Sequence, residues 1–195
     1  AASLRQVAAA VLAVAVLAAA ALRATPEPSP PDERLNIVVI LTDDQSFDTF
    51  PSHPPALPWL QAQVEDPDGH WLSFPNAFIQ TPLCCPSRAT ILSGLYSRHT
   101  HVRTNDDGAK FDDTQTIATW LHAAGYFTGL IGKYLNRYGV GAADAHYVPP
   151  GWDHWTAFLG KTAYYDYRLV DQGRVRHYGR APSDYSTDVL ARKAH

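Results

Sequence analysis

The sequence predicts an α/β protein with a largely parallel central sheet and helices on both faces, and three observations predict it. Residues 35–41, Leu35-Asn36-Ile37-Val38-Val39-Ile40-Leu41, form a continuous apolar, β-branched run with no polar alternation after Asn36. That is the pattern of a strand covered on both faces. Residues 114–124 carry Ile117, Trp120, Leu121 and Ala124 at helical spacing, with Asp113 or Thr114 as cap and Gly125 as the stop. Residues 126–131 then read as a second buried strand. Strand, helix and strand in this order imply parallel pairing, with ligands expected outside the carboxyl ends of the strands.

The remaining elements follow in order. Residues 7–22 are an unbroken apolar run of 16 residues between Arg5 and Arg23, with Ala-x-Ala triplets near its end. The run is shorter than the roughly 18–20 residues that span a bilayer unaided, so residues 1–24 are expected to be a signal peptide or a short N-terminal anchor. Residues 25–34 contain Pro26-Glu27-Pro28-Ser29-Pro30-Pro31, which joins neither helix nor ladder and reads as an extended linker. Residues 164–170 and 174–178 flank Asp171-Gln172-Gly173, a hairpin signal. Residues 185–195 read as a helix capped by Ser183 or Asp184, with Val189, Leu190 and Ala194 as a partial apolar stripe. There is no methionine, even at position 1, and this last helical pattern runs to His195 without a stop signal. The expectation is a catalytic domain over residues 35–195 that represents only the N-terminal part of a longer one.

Composition narrows the function classes. Of 195 residues, 46% are hydrophobic and 11% aromatic, enough for a core. Sixteen Lys and Arg against 19 Asp and Glu leave a net charge of −3, with no basic patch for nucleic acid. The two cysteines are neighbours, Cys84 and Cys85, so no disulfide framework is available to staple distant segments. The nine histidines show no zinc-like spacing. His99 and His101 follow a helix that carries candidate chemistry, and they read either as crevice residues or as surface residues.

Three groups fall where the crevice is expected. Asp43-Asp44 lie two positions past the first strand. Adjacent side chains of a strand point apart, so their carboxylates converge only if the chain turns there. Converging, they invite a hard divalent cation; otherwise they are a turn or a helix cap. In Pro82-Leu83-Cys84-Cys85-Pro86-Ser87-Arg88, Pro86 suits the first turn of a helix that ends before Gly94. Cys84 then stands just ahead of the helix N-terminus, where free N–H groups favour an anion, and Arg88 reaches back over the same turn. The alternative is a buried pair of cysteines packing as small hydrophobes. Lys133 leaves the carboxyl end of the second strand, either towards the same crevice or into solvent. Trp152, Trp155, Tyr164, Tyr165 and Tyr167 are candidates for sugar stacking or, alternatively, for core and hairpin packing.

Together these residues resemble the sulfatase family. Cys84-x-Pro86-Ser87-Arg88 followed by Gly94 resembles its first signature, and residues 125–135 its second. Asp43 and Asp44 take the place of its paired metal ligands. Cys84-Cys85-Pro86-Ser87-Arg88, Gly132-Lys133-Tyr134-Leu135-Asn136 and residues 151–167 are similar to the N-acetylglucosamine-6-sulfatase branch.

The resemblance implies an alkaline-phosphatase-like fold and a sulfuric ester hydrolase acting on a sulfated sugar, including 6-O-sulfated N-acetylglucosamine. It implies that a formylglycine-generating enzyme converts Cys84 to Cα-formylglycine, whose hydrate is the nucleophile. One Ca²⁺, in preference to Mg²⁺, would be held by Asp43, Asp44 and residue 84, while Arg88 and Lys133 would hold the diol and the sulfate oxygens. The implied location is outside the cytoplasm: secreted, periplasmic or at the cell surface, touching a membrane only through an uncleaved N-terminal segment.

Leu135 stands where many members carry histidine, with Asn136 as a polar neighbour. The family's second ligand pair, an Asp-Asn, and its further His and Lys match no motif here, so these 195 residues alone are expected to bind Ca²⁺ poorly and to be inactive. Two alternatives within the resemblance are a phosphonate or phosphate monoester hydrolase of the same superfamily and a non-catalytic, sulfatase-like glycan-binding protein.

Overall fold

The computed structural model describes residues 34–50, 55–140 and 145–195. The expected leader or anchor at 1–24 and nearly all of the linker at 25–34 lie outside the described residues. No described helix is long and apolar enough to cross a membrane. The chain divides into Ala1–Leu41 and Thr42–His195. In the first unit, the described residues 35–41 carry no strand, and their apolar side chains are exposed, Ile40 by 88%. This corrects the strand expected there. An apolar run becomes a covered strand only where neighbours supply ladder partners and both covering layers, and its own pattern does not encode them.

Among its described residues the second unit contains five α-helices: α1 (Pro58–Glu65), α2 (Cys84–Ser93), α3 (Ser97–Thr100), α4 (Ile117–Ala123) and α5 (Ser186–Ala194). Its strands are β1 (Gly129–Gly132), β2 (His154–Phe158), β3 (Tyr167–Asp171) and β4 (Arg174–Tyr178). They form one sheet in the order β1-β2-β3-β4. The class is α/β. The sheet is mixed, because β1 and β2 pair in parallel while β2-β3 and β3-β4 are antiparallel. Gln172 and Gly173, both at positive φ, close the β3-β4 hairpin in two residues, a turn that can only join antiparallel strands.

Caps set the helix boundaries. α2 ends on Gly94 at φ 69, whose N–H donates to the Thr90 carbonyl at 2.8 Å. α4 starts later than the periodicity suggests: Thr116 is its cap, and Thr116 and Thr119 exchange side chain–backbone bonds as a capping box. Neither Ser183 nor Asp184 caps α5. Asp184 accepts from the Gly179 and Ala181 N–H groups at 3.0 and 3.2 Å, closing the tight turn Pro182–Asp184 that precedes the helix.

Helices cover both faces of the sheet. On one, Cys85 and Ala89 of α2 pack with Tyr134, Leu135, Tyr138, Trp155, Ala157, Leu159 and Val170. The rings of Tyr134, Tyr138 and Trp155 meet edge-on at 5.1–5.7 Å, and the Trp155 indole N–H donates to the Tyr138 hydroxyl at 3.0 Å. On the other, Val189 of α5 packs with Phe158, Tyr167 and Leu169. Lys193 of α5 reaches Asp171 at 2.8 Å and ties the helix to the hairpin. Trp155 and Tyr167 are therefore core residues, and Trp152 packs against the same core. Tyr164 and Tyr165 lie against Tyr185.

Gly151 (φ 83) packs its α-carbon against the start of α4, and a β-carbon there would fall 2.5–2.7 Å from backbone atoms of Ala118 and Thr119. At Gly94 a β-carbon meets open space. Gly94→Ala is expected to cost only the left-handed backbone penalty, about 1–2 kcal/mol. Gly151→Ala adds a clash that rigid backbone cannot relieve. Urea unfolding should show a clearly larger loss of midpoint for Gly151→Ala, and equal losses would contradict this packing.

Candidate active site

Three segments of the second unit meet at one point. The first is the turn that begins at Thr42. Asp44 sits at φ 54, in the left-handed region that Asp tolerates better than most residues. That bend swings the two neighbouring carboxylates together, as their convergence requires. The second is the first turn of α2, where Leu83 is the cap and offers no side-chain bond. Cys84 is its first residue and Pro86 lies in the first turn, where its missing N–H costs nothing. The third is Lys133, the residue after β1, at the carboxyl end of the parallel pair.

Asp43 joins the three. Its Oδ2 accepts from Lys133 Nζ at 2.6 Å, and its Oδ1 lies 3.5 Å from Arg88 Nη2. The cationic side chains are largely enclosed, 13% and 11% exposed, with Asp43 at 34%. Arg88 Nη1 also donates to the Lys133 carbonyl at 2.5 Å, so one guanidinium holds both the acid and the backbone that carries the lysine. Burial pushes the Asp43 carboxyl up, but the hydrogen bond and charge of Lys133, the charge of Arg88 and a hydrogen bond from Cys84 outweigh it. The group is held below its ordinary range.

Asp43, Asp44 and Cys84 each offer one ligand atom, and these atoms lie within 4.8 Å of one another. Two hard carboxylate oxygens suit Ca²⁺ or Mg²⁺, whereas a thiol sulfur does not. With oxygen in place of sulfur at residue 84, the donor set would fit a hard cation.

The two cysteines part company. Cys85 is fully buried, and desolvation pushes its thiol up against a weaker opposing bond from the Asn136 backbone. It packs as a small hydrophobe, whereas Cys84 is half-buried and faces Asp43. His99 and His101 are exposed and make no contact with this cluster among the described residues. Asn105 was not anticipated. Its Oδ1 accepts the Cys85 N–H at 2.9 Å from 20 residues away, occupying an otherwise free donor of the α2 N-terminus. No local signal marks such a contact; an asparagine in a turn-rich segment has many uses.

A family model described as Sulfatase matches residues 35–195. The chain is 35% identical over 169 residues to the extracellular sulfatase SULF-1 homolog of Drosophila melanogaster, covering 82% of this chain and 14% of that protein. It is 37% identical over 169 residues to the N-acetylglucosamine-6-sulfatase of Homo sapiens, covering 81% of this chain and 30% of that protein. It thus spans less than a third of the length of either relative. A solved structure described as a complex with its substrate D-glucosamine-2-N,6-O-disulfate shares 30% identity over 62% of this chain and 22% of that one, at a TM-score of 0.49. With a family model matched over most of its residues, the chain belongs to the sulfatase family.

Proposed function

We propose that this chain carries the nucleophile half of the active site of an exported sulfatase that removes sulfate from a sulfated sugar, including 6-O-sulfated N-acetylglucosamine. The observation that carries the reading is the meeting of Asp43, Lys133, Arg88 and Cys84 around one carboxylate, with Asp44 beside it. Family membership and the names of the relatives support sulfate ester hydrolysis. The relatives named as extracellular support export.

In this reading a formylglycine-generating enzyme, drawing on an external two-electron oxidant, converts the Cys84 –CH₂SH to an aldehyde with its sulfur lost as sulfide, and water adds to give a geminal diol. One diol oxygen attacks the sulfur, the S–O bond to the sugar breaks, and the sugar oxygen leaves as an alcohol after taking a proton. The second hydroxyl then loses its proton, the C=O bond re-forms, and sulfate departs. Water restores the diol. An unmodified thiol would lack the second hydroxyl and would have no such route for release.

Arg88 orients the diol, and Lys133 holds sulfate oxygens as they gain charge. Both are enclosed, fixed donors that need little reorganisation. Asp43, Asp44 and residue 84 would hold Ca²⁺, which supplies Lewis acidity and a template when bound.

Two measurements test the reading. In protein made together with the maturation enzyme, the peptide containing Cys84 should be lighter by about 18 Da than its thiol form, the mass change of –CH₂SH to –CHO. An intact thiol would favour a non-catalytic, glycan-binding role. In a protein that also supplies the rest of the site, matured in the same way, Lys133→Ala and Arg88→Ala should each lower kcat/KM on a 6-sulfated glucosamine ester by about 10²–10³, the usual worth of a preorganised charge donor, while far-UV circular dichroism stays unchanged. Wild-type rates in either variant would remove that residue from the chemistry.

A further inference from the structure

A second cationic feature lies on the same end of the sheet as Lys133. Because β1 and β2 are parallel and β3 and β4 return antiparallel, the end of β2, the start of β3 and the end of β4 share one edge with Lys133. At that edge Leu159, Lys161, Asp166, Tyr167, Arg168 and His177 line an open hollow of about 250 Å³.

Arg168 and His177 are directly paired across β3 and β4 and so share a face. Strand alternation puts Arg168 on the face of Val170, which packs with Cys85 of α2 and not with α5. Arg168 and His177 therefore share both the end and the face of the sheet with the candidate active site. Arg180 adjoins them, 3.5 Å from Asp166, which also meets His177 at 3.2 Å. Lys161 and Arg168 have no carboxylate partner among the described residues. Lys161 and Arg168 line the hollow with a single acid, Asp166, and Arg180 reaches that acid from beside it.

A single sulfate bound at Lys133 does not need this surface. Adjacent strands are about 4.8 Å apart, so β3 and β4 lie roughly 10–14 Å from β1 along the edge, wider than one sugar ring. The geometry points to an anion subsite at Lys161, Arg168 and Arg180 for further sulfates of a sulfated oligosaccharide chain whose reacting sulfate sits at Lys133. The inference deepens the proposed function and rests on it for the direction of the chain, but its test reads binding and not turnover.

The test is calorimetric titration of the unmodified chain with a heparin-derived octasaccharide and, separately, with glucosamine 6-sulfate. The Lys161→Ala/Arg168→Ala/Arg180→Ala variant should bind the octasaccharide at least about tenfold more weakly and leave the monosaccharide unaffected. A charge-matched control, Arg98→Ala/Arg103→Ala/Arg192→Ala, should retain octasaccharide affinity within about twofold. Thermal melts of all three proteins establish that each is folded. No octasaccharide binding by the wild-type chain, unchanged binding by the first variant, or equal loss in the control would overturn the subsite. Absence of sulfate hydrolysis by matured protein that also supplies the rest of the site would count against the proposed function and leave this binding result standing.

Discussion

A carboxylate between two cations organises this site. Asp43 is within reach of Lys133, Arg88 and Cys84, and these belong to three segments separated by up to 90 residues. Enclosing the two cations without an acid beside them would be costly, and the acid gains two charge partners in return. Each partly solves the other's desolvation problem. Arg88 does more than neutralise, since its second nitrogen group holds the Lys133 carbonyl and so couples α2 to the end of β1. The turn at 43–44, the first turn of α2 and the exit from β1 are positioned by the same few bonds.

The arrangement also explains why one cysteine suits chemistry and its neighbour does not. Successive residues of a helical first turn point in different directions. Cys85 enters the apolar core with Ala89, Trp155 and Val170, where burial keeps the thiol protonated. Cys84 faces the charged cluster instead. The Cys85 N–H is satisfied by Asn105, so the backbone that carries Cys84 is held from behind as well as from the front.

Much of this was legible in the sequence, and the losses have physical causes. Pro86 and Gly94 punctuate α2 by local rules, and Asp171-Gln172-Gly173 marks the hairpin turn; both elements appear where their signals lie. Boundaries moved where a cap outranked periodicity. Thr116 set the start of α4, and β1 became a shorter strand, Gly129–Gly132, because only those residues find partners on β2. Residues 35–41 show the limit of pattern reading most clearly, since their strand character depends on neighbours that no local signal supplies. At the site, spacing and residue type picked out Asp43, Asp44, Cys84, Arg88 and Lys133, but the bond from Arg88 to the Lys133 carbonyl and the support from Asn105 are tertiary facts with no local signature.

The direct test of this account is whether Asp43 and Lys133 feel each other. A double-mutant cycle of Asp43→Ala and Lys133→Ala, read by urea unfolding in the presence of a chelator, isolates their pairwise term. An enclosed contact of this kind predicts a coupling of about 0.5–3 kcal/mol that favours the pair. Strict additivity of the two single substitutions would contradict the convergence on which the rest of the site depends.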